Sequence, residues 1–128
     1  MYPTALVFGV FDNLHKGHEY FLGEALKKTE KLFVVVTIDE IVQTLKHKLP
    51  KYSLSERIKR IQDLDARFHV VPGDEVLGSW EIFKKYPVDV VFLGYDQLAL
   101  AEELTKQEIT YEFLESHFPE IHKSSLLN

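Results

Sequence analysis

The sequence predicts an α/β fold, a five-stranded parallel sheet in the order 3-2-1-4-5 with helices on both faces. Three observations predict it. Apolar runs of strand length alternate with amphipathic stretches of helix length along the chain. Those runs are apolar throughout, which marks strands buried on both faces, as in parallel sheets. The 128 residues, 45% hydrophobic and 27% charged, suit a single domain over residues 1–128 with one core.

Each element has its own signal. Residues 5–11 are a continuous apolar strand, and residues 18–29 carry Phe21, Leu22, Ala25 and Leu26 at helical spacing. Residues 32–38 (LFVVVTI) are the second strand, and residues 43–52 read as a long loop. Ser53-Leu54-Ser55-Glu56 is a capping box opening a helix whose inner face is Leu54, Ile58, Ile61 and Leu64. Residues 68–71 are a short strand ended by Pro72-Gly73. Ser79 is placed to cap a helix through Tyr86, which Pro87 stops. A strand over 88–93, a helix over 98–106 and a strand over 109–114 complete the pattern, and a polar tail begins at Glu115. Right-handed crossovers reduce this alternation to a Rossmann-like arrangement. Its ligands belong at the carboxyl ends of strands one, two and four, where the winding reverses.

Composition narrows the function. With 15 basic and 20 acidic residues the net charge is −5, so no broad attraction draws the chain to nucleic acid or an anionic membrane. There is no cysteine, which removes disulfides, thiol nucleophiles and cysteine zinc sites. Apolar stretches of about eight residues fall short of the ~20 that span a bilayer. Met1-Tyr2-Pro3-Thr4 has no basic character of a signal peptide, so a cytoplasmic location is expected.

The first connection, Gly9-Val10-Phe11-Asp12-Asn13-Leu14-His15-Lys16-Gly17-His18, carries the chemistry. It has neither the dinucleotide fingerprint nor a P-loop. Instead, two histidines three apart fall at the start of a helix, where unpaired N–H groups favour anions. Gly9 and Gly17 allow a ligand close to the backbone. A His-x-x-His metal site with Asp12 as third ligand is the rival chemistry. Lys46 and Lys48 supply mobile positive charge for phosphates or lie solvated on a loop. Arg57 forks onto a phosphate or pairs with Glu56 or a neighbouring acid on a helix surface. Asp12, Asp39 and Asp96 end strands, where a carboxylate orients a ribose, a lysine or a metal, or stabilises a turn. Trp80, the sole tryptophan, reads as helix packing, and His47, His69, His117 and His122 as surface residues.

The first connection closely resembles the G-x-F-D-x-x-H-x-G-H signature of the cytidylyltransferase-like nucleotidyltransferases. The resemblance extends to Val36-Thr37-Ile38-Asp39, to the basic segment of Lys46, Lys48 and Lys51, to Ser55-Glu56-Arg57 and to Leu93-Gly94-Tyr95-Asp96-Gln97. Class I aminoacyl-tRNA synthetases share a related signature, but 128 residues cannot hold one. The resemblance implies in-line transfer of a nucleoside monophosphate from ATP or CTP to a phosphate-bearing acceptor, with release of pyrophosphate. Mg²⁺ would enter through the triphosphate, with no ligand directly from the protein, and a homodimer is usual. It assigns catalysis to His15, His18 and Lys46. Nucleotide binding falls to Gly9, Val10, Phe11, Asp12, Gly17, Arg57, Gly94, Asp96, Lys123, Ser124 and Ser125. Acceptor binding falls to Asp39, Lys48, Tyr95 and Gln97.

The C-terminus departs from the family pattern. Where relatives carry R-T-x-G-I-S-T-T or I-S-S-T-x-x-R, this chain has His122-Lys123-Ser124-Ser125-Leu126-Leu127-Asn128, so lysine stands in for arginine. Leu93-Gly94-Tyr95-Asp96-Gln97 and the lysine-serine-serine tail resemble archaeal-type FMN adenylyltransferases. The short length, Lys46 with Lys48, and Trp80-Glu81 resemble glycerol-3-phosphate cytidylyltransferases. The balance favours adenylyl transfer to FMN. A catalytically weak nucleotide-binding module is the reading of another class.

Overall fold

The computed structural model describes residues 1–114. Five strands, β1 (Tyr2–Gly9), β2 (Thr29–Val36), β3 (Phe68–Pro72), β4 (Val90–Leu93) and β5 (Tyr111–Phe113), form one sheet in the order β3-β2-β1-β4-β5. All four pairings are parallel, as the unbroken apolar runs predict. The helices between them are α1 (Lys16–Lys27), α2 (Asp39–Lys46), α3 (Leu54–Leu64), α4 (Ile82–Lys85) and α5 (Leu98–Lys106).

The sheet is buried on both sides because successive side chains point to opposite faces. Ala5 and Val7 of β1 pack with Leu22 and Ala25 of α1 and Ile61 of α3. Leu6, between them, packs with Val35 and with Ile82 of α4. Val91 and Leu93 meet Ala101 and Leu104 of α5. Their neighbours on the opposite face, Val90 and Phe92, join the α1 side, so β4 is buried at all four positions.

Several boundaries differ from the sequence expectation, each for a physical reason. β1 leaves the sheet at Gly9 instead of residue 11, since Phe11 turns into the left-handed region (φ 52°) and folds its ring back over Gly9. α1 begins at Lys16, because His15 and not His18 is the N-cap. The first part of the expected 43–52 loop is helical: α2 runs to Lys46 and ends at His47 in the left-handed conformation (φ 60°). Ser79 caps nothing; its hydroxyl is buried without a hydrogen-bond partner, and Trp80 (φ 55°) intervenes before α4. Trp80 does pack, against Phe8 and Phe83.

Candidate active site

The carboxyl ends of β1 and β4 open onto a cleft of about 710 Å³, bounded by the start of α1 and the end of α2. The order 3-2-1-4-5 creates it, since connections from neighbouring β1 and β4 leave toward opposite faces.

The two histidines build the start of α1. The Gly17 N–H donates to Nδ1 of His15 at 3.1 Å, and the His15 N–H donates to Nδ1 of His18 at 3.4 Å. Together they form a capping box made of imidazoles, satisfying backbone donors that a helix start leaves open. The rings stack with centroids 3.9 Å apart and planes 19° apart. Because each Nδ1 accepts a backbone proton, the neutral rings carry hydrogen on Nε2. Both rings line the cleft.

Burial above all, with the positive charges of His15 and Lys46 acting in the same direction, pushes the His18 pKa down to about 4. Asp96 and a backbone hydrogen bond at Asn13 oppose them. His18 is therefore a neutral donor at pH 7. The Phe11 ring meets its edge at 5.3 Å and 76°. A Cβ on Gly9 would stand 2.5 Å from that Phe11 ring. Gly9 thus makes room for Phe11 while its backbone lines the cleft.

Lys46 and Lys48 reach the cleft from the end of α2 and the strap that follows, residues 47–53. Asp12 faces that strap. Its oxygens accept the N–H groups of Lys51 at 2.7 Å and Tyr52 at 2.8 Å. Burial alone would raise its pKa, but these two donors, with Arg57 and Lys46 nearby, hold it below the usual carboxylate value.

Arg57 is a correction. Expected on a phosphate, its side chain is wholly buried. Nη1 donates to the carbonyls of Val10 (2.9 Å) and Thr37 (2.7 Å), Nε to Tyr52 (3.0 Å), and Nη2 to Asp39 Oδ1 (2.6 Å). It sits beneath the site and holds its parts together. Asp39, expected at the acceptor, is the other half of this ion pair. Gln97 is likewise engaged: its amide bridges Gly94 N–H (3.0 Å) and the Phe8 carbonyl (3.1 Å), tying β4 to β1. Gly94 is held close too, since a Cβ there would meet Asp96 Oδ1 at 2.9 Å.

The cleft also gathers Val10, Phe11, Gly17, Tyr95 and Asp96. Lys123, Ser124 and Ser125 lie outside the described residues. Sequence reasoning missed Phe8, Asn13, Phe21, Val42, Leu49 and Pro50. Phe21, three residues after His18, had a helical signal that pointed there. Among the described residues, no three His, Asp or Glu side chains gather as metal ligands, and no helix is long and apolar enough to cross a membrane.

Comparison with known proteins agrees with this geometry. Residues 6–125 match the Cytidylyltransferase-like family. An FAD synthase of Thermococcus sibiricus is 37% identical over 122 residues, 92% of this chain and 81% of that protein. An FAD synthase of Thermococcus kodakarensis is 33% identical over 123 residues, 93% of this chain and 81% of that one. Among solved structures, the lipopolysaccharide core biosynthesis protein from Thermoplasma volcanium superposes with a TM-score of 0.71 at 27% identity, over 88% of this chain and 94% of its own. A bifunctional NMN adenylyltransferase/ADP ribose pyrophosphatase from Francisella tularensis shares the fold, with a TM-score of 0.62 at 16% identity over 90% of this chain and 37% of its own. The signature turn, the sheet order and the match along nearly the whole described chain agree: this protein belongs to the cytidylyltransferase-like family of nucleotidyltransferases.

Proposed function

We propose that the protein transfers the adenylyl group of ATP to FMN, forming FAD and pyrophosphate. The observation that carries this reading is the stacked pair of histidines that lines the cleft at the start of α1, held by backbone bonds at both Nδ1 atoms. An oxygen of the FMN phosphate attacks the α-phosphorus of ATP. The bond from that phosphorus to its bridging β-oxygen breaks, and pyrophosphate leaves with the electron pair. His15 and His18 donate hydrogen bonds to oxygens on which charge grows, a role worth ~100–1,000-fold in rate per donor. Lys46 and Lys48 neutralise the triphosphate and the departing pyrophosphate, and positioning supplies the rest.

The choice of ATP and FMN is supported by the two FAD synthases, which match over most of their own length. The reaction takes Mg²⁺ as a companion of the triphosphate. Such an ion would neutralise phosphate charge beside Lys46 and Asp96. Within this reading the protein pairs with a second copy, which light scattering tests.

Pyrophosphate release tests the reaction. It is expected only when Mg²⁺, ATP and FMN are present together, with FAD as co-product. Release with CTP and glycerol 3-phosphate instead would transfer the assignment to cytidylyl chemistry. ATP binding without turnover on any acceptor would leave a binding module.

A further inference from the structure

The backbone of Tyr52 is gripped at both its N–H and its carbonyl. Its N–H donates to Asp12 Oδ1 at 2.8 Å, and its carbonyl accepts from Arg57 Nε at 3.0 Å. The preceding N–H, from Lys51, donates to the other Asp12 oxygen at 2.7 Å. Asp12 and Lys51 are 39 residues apart in sequence, so these bonds fasten one connection of the fold to another.

Everything between this grip and α2 is exposed or half-exposed. Lys48 is exposed, and Leu49 shows 65% of its surface while lining the cleft. The near root of the strap leads back to the same hub, because Asp39 at the start of α2 pairs with Arg57. Arg57 in turn holds the Val10 carbonyl, on the connection that bears both histidines.

We propose that Asp12 is a positioning residue. With Arg57 it clamps the Tyr52 backbone and so holds the segment carrying Lys46 and Lys48 against the turn of His15 and His18. It does this without touching the nucleotide. Lysine charges on a loose strap must be ordered each time a triphosphate binds, at an entropic cost. A strap already tied at its root avoids most of that cost. The clamp is a property of the free protein, and only its consequence for nucleotide handling rests on the adenylyl-transfer reading.

The test substitutes Asp12→Asn, which keeps one acceptor oxygen and loses the charge and the second. Trypsin then cuts after Lys46, Lys48 and Lys51 at least ~10-fold faster than in the wild type, while cuts after Lys84 and Lys106 keep their rate. Affinity for ATP with Mg²⁺ falls by about 10-fold, the loss expected of a charge-assisted hydrogen bond acting through the strap. KM for ATP rises accordingly, with kcat less affected. In a Lys46→Ala background the same change alters ATP affinity by less than about 2-fold, since residues acting in series are not additive. Unchanged cutting of the strap overturns the clamp. Losses from Asp12→Asn and Lys46→Ala that multiply also overturn it, because Asp12 then meets the nucleotide independently. Amide exchange in the wild type gives a check that needs no variant to fold: the Lys51 and Tyr52 amides exchange at least ~10-fold more slowly than those of Lys48 and Leu49. Equal rates refute the grip. If pyrophosphate release fails for every acceptor, the adenylyl-transfer reading falls, while the proteolysis and exchange results still decide the clamp.

Discussion

Arg57→Met removes the buried hub beneath the site. The wild-type side chain is wholly buried and serves three carbonyls and one carboxylate. Methionine fills similar space but donates nothing, so the Val10, Thr37 and Tyr52 carbonyls lose their donor and Asp39 loses its partner. Breaking a buried ion pair from one side typically costs 3–5 kcal/mol. Asp39 retains 33% exposure, so water recovers part of its loss and the lower end applies, about 3 kcal/mol. Unfolding entropy runs at roughly 2.1 cal/mol/K per residue, about 0.27 kcal/mol/K at this length, so Tm falls by about 11 °C. Arg67→Met is the control. Arg67 also makes an ion pair, to Asp65 at 2.7 Å, but is 73% exposed, so water and salt screen the pair and its loss changes stability little. Urea unfolding of both variants beside the wild type measures the difference. If Arg57→Met costs no more than Arg67→Met, the hub holds nothing together and the account of the strap and both connections is wrong.

Further expectations concern the histidine turn. His18→Asn keeps an acceptor near the Nδ1 position and removes Nε2–H, so turnover falls ~100–1,000-fold while stability stays within about 1 kcal/mol; retained turnover removes His18 from the chemistry. The His18 pKa is near 4 in the folded protein against an ordinary 6.5, so the unfolded chain takes up the proton first as pH falls. The His18 contribution to stability is intact above pH 6.5, declines from there to about pH 4, and is level below. Urea unfolding at pH 7, 5.5 and 4.5 therefore shows a wild-type decline that His18→Asn lessens, and parallel declines in both proteins would exclude the shift. Gly9→Ala forces the Phe11 ring away from a clash at 2.5 Å and costs ~1–3 kcal/mol. It also disturbs the ring edge against His18, visible as a changed His18 chemical shift; an unperturbed shift and Tm refute that packing.

The strands and most helices were legible because burial on two faces leaves an unmistakable run of apolar residues, as in Val90–Leu93. The histidine turn was legible through its spacing at a helix start. α2 was not, because Val42 is its sole buried residue and the apolar stripe was too thin to read. Its acidic first turn, Asp39 and Glu40, and its final Lys46 were a helix signal that went unused. Arg57 misled because charge at a surface-like helix start suggests solvent, whereas burial is decided by carbonyls 5, 20 and 47 residues away in sequence. The role of Gly9 toward Phe11 was hidden for a similar reason, since only the left-handed turn at Phe11 brings that ring back.

The imidazole cap has a consequence for how this sequence can drift. At most helix starts a serine, an aspartate or an asparagine is a ready exchange for one another. Here the atoms that begin α1 belong to the same two rings that line the cleft. A random change at either position is therefore penalised twice, in folding and in turnover. Few single steps leave both intact, and the pair is frozen by its double employment.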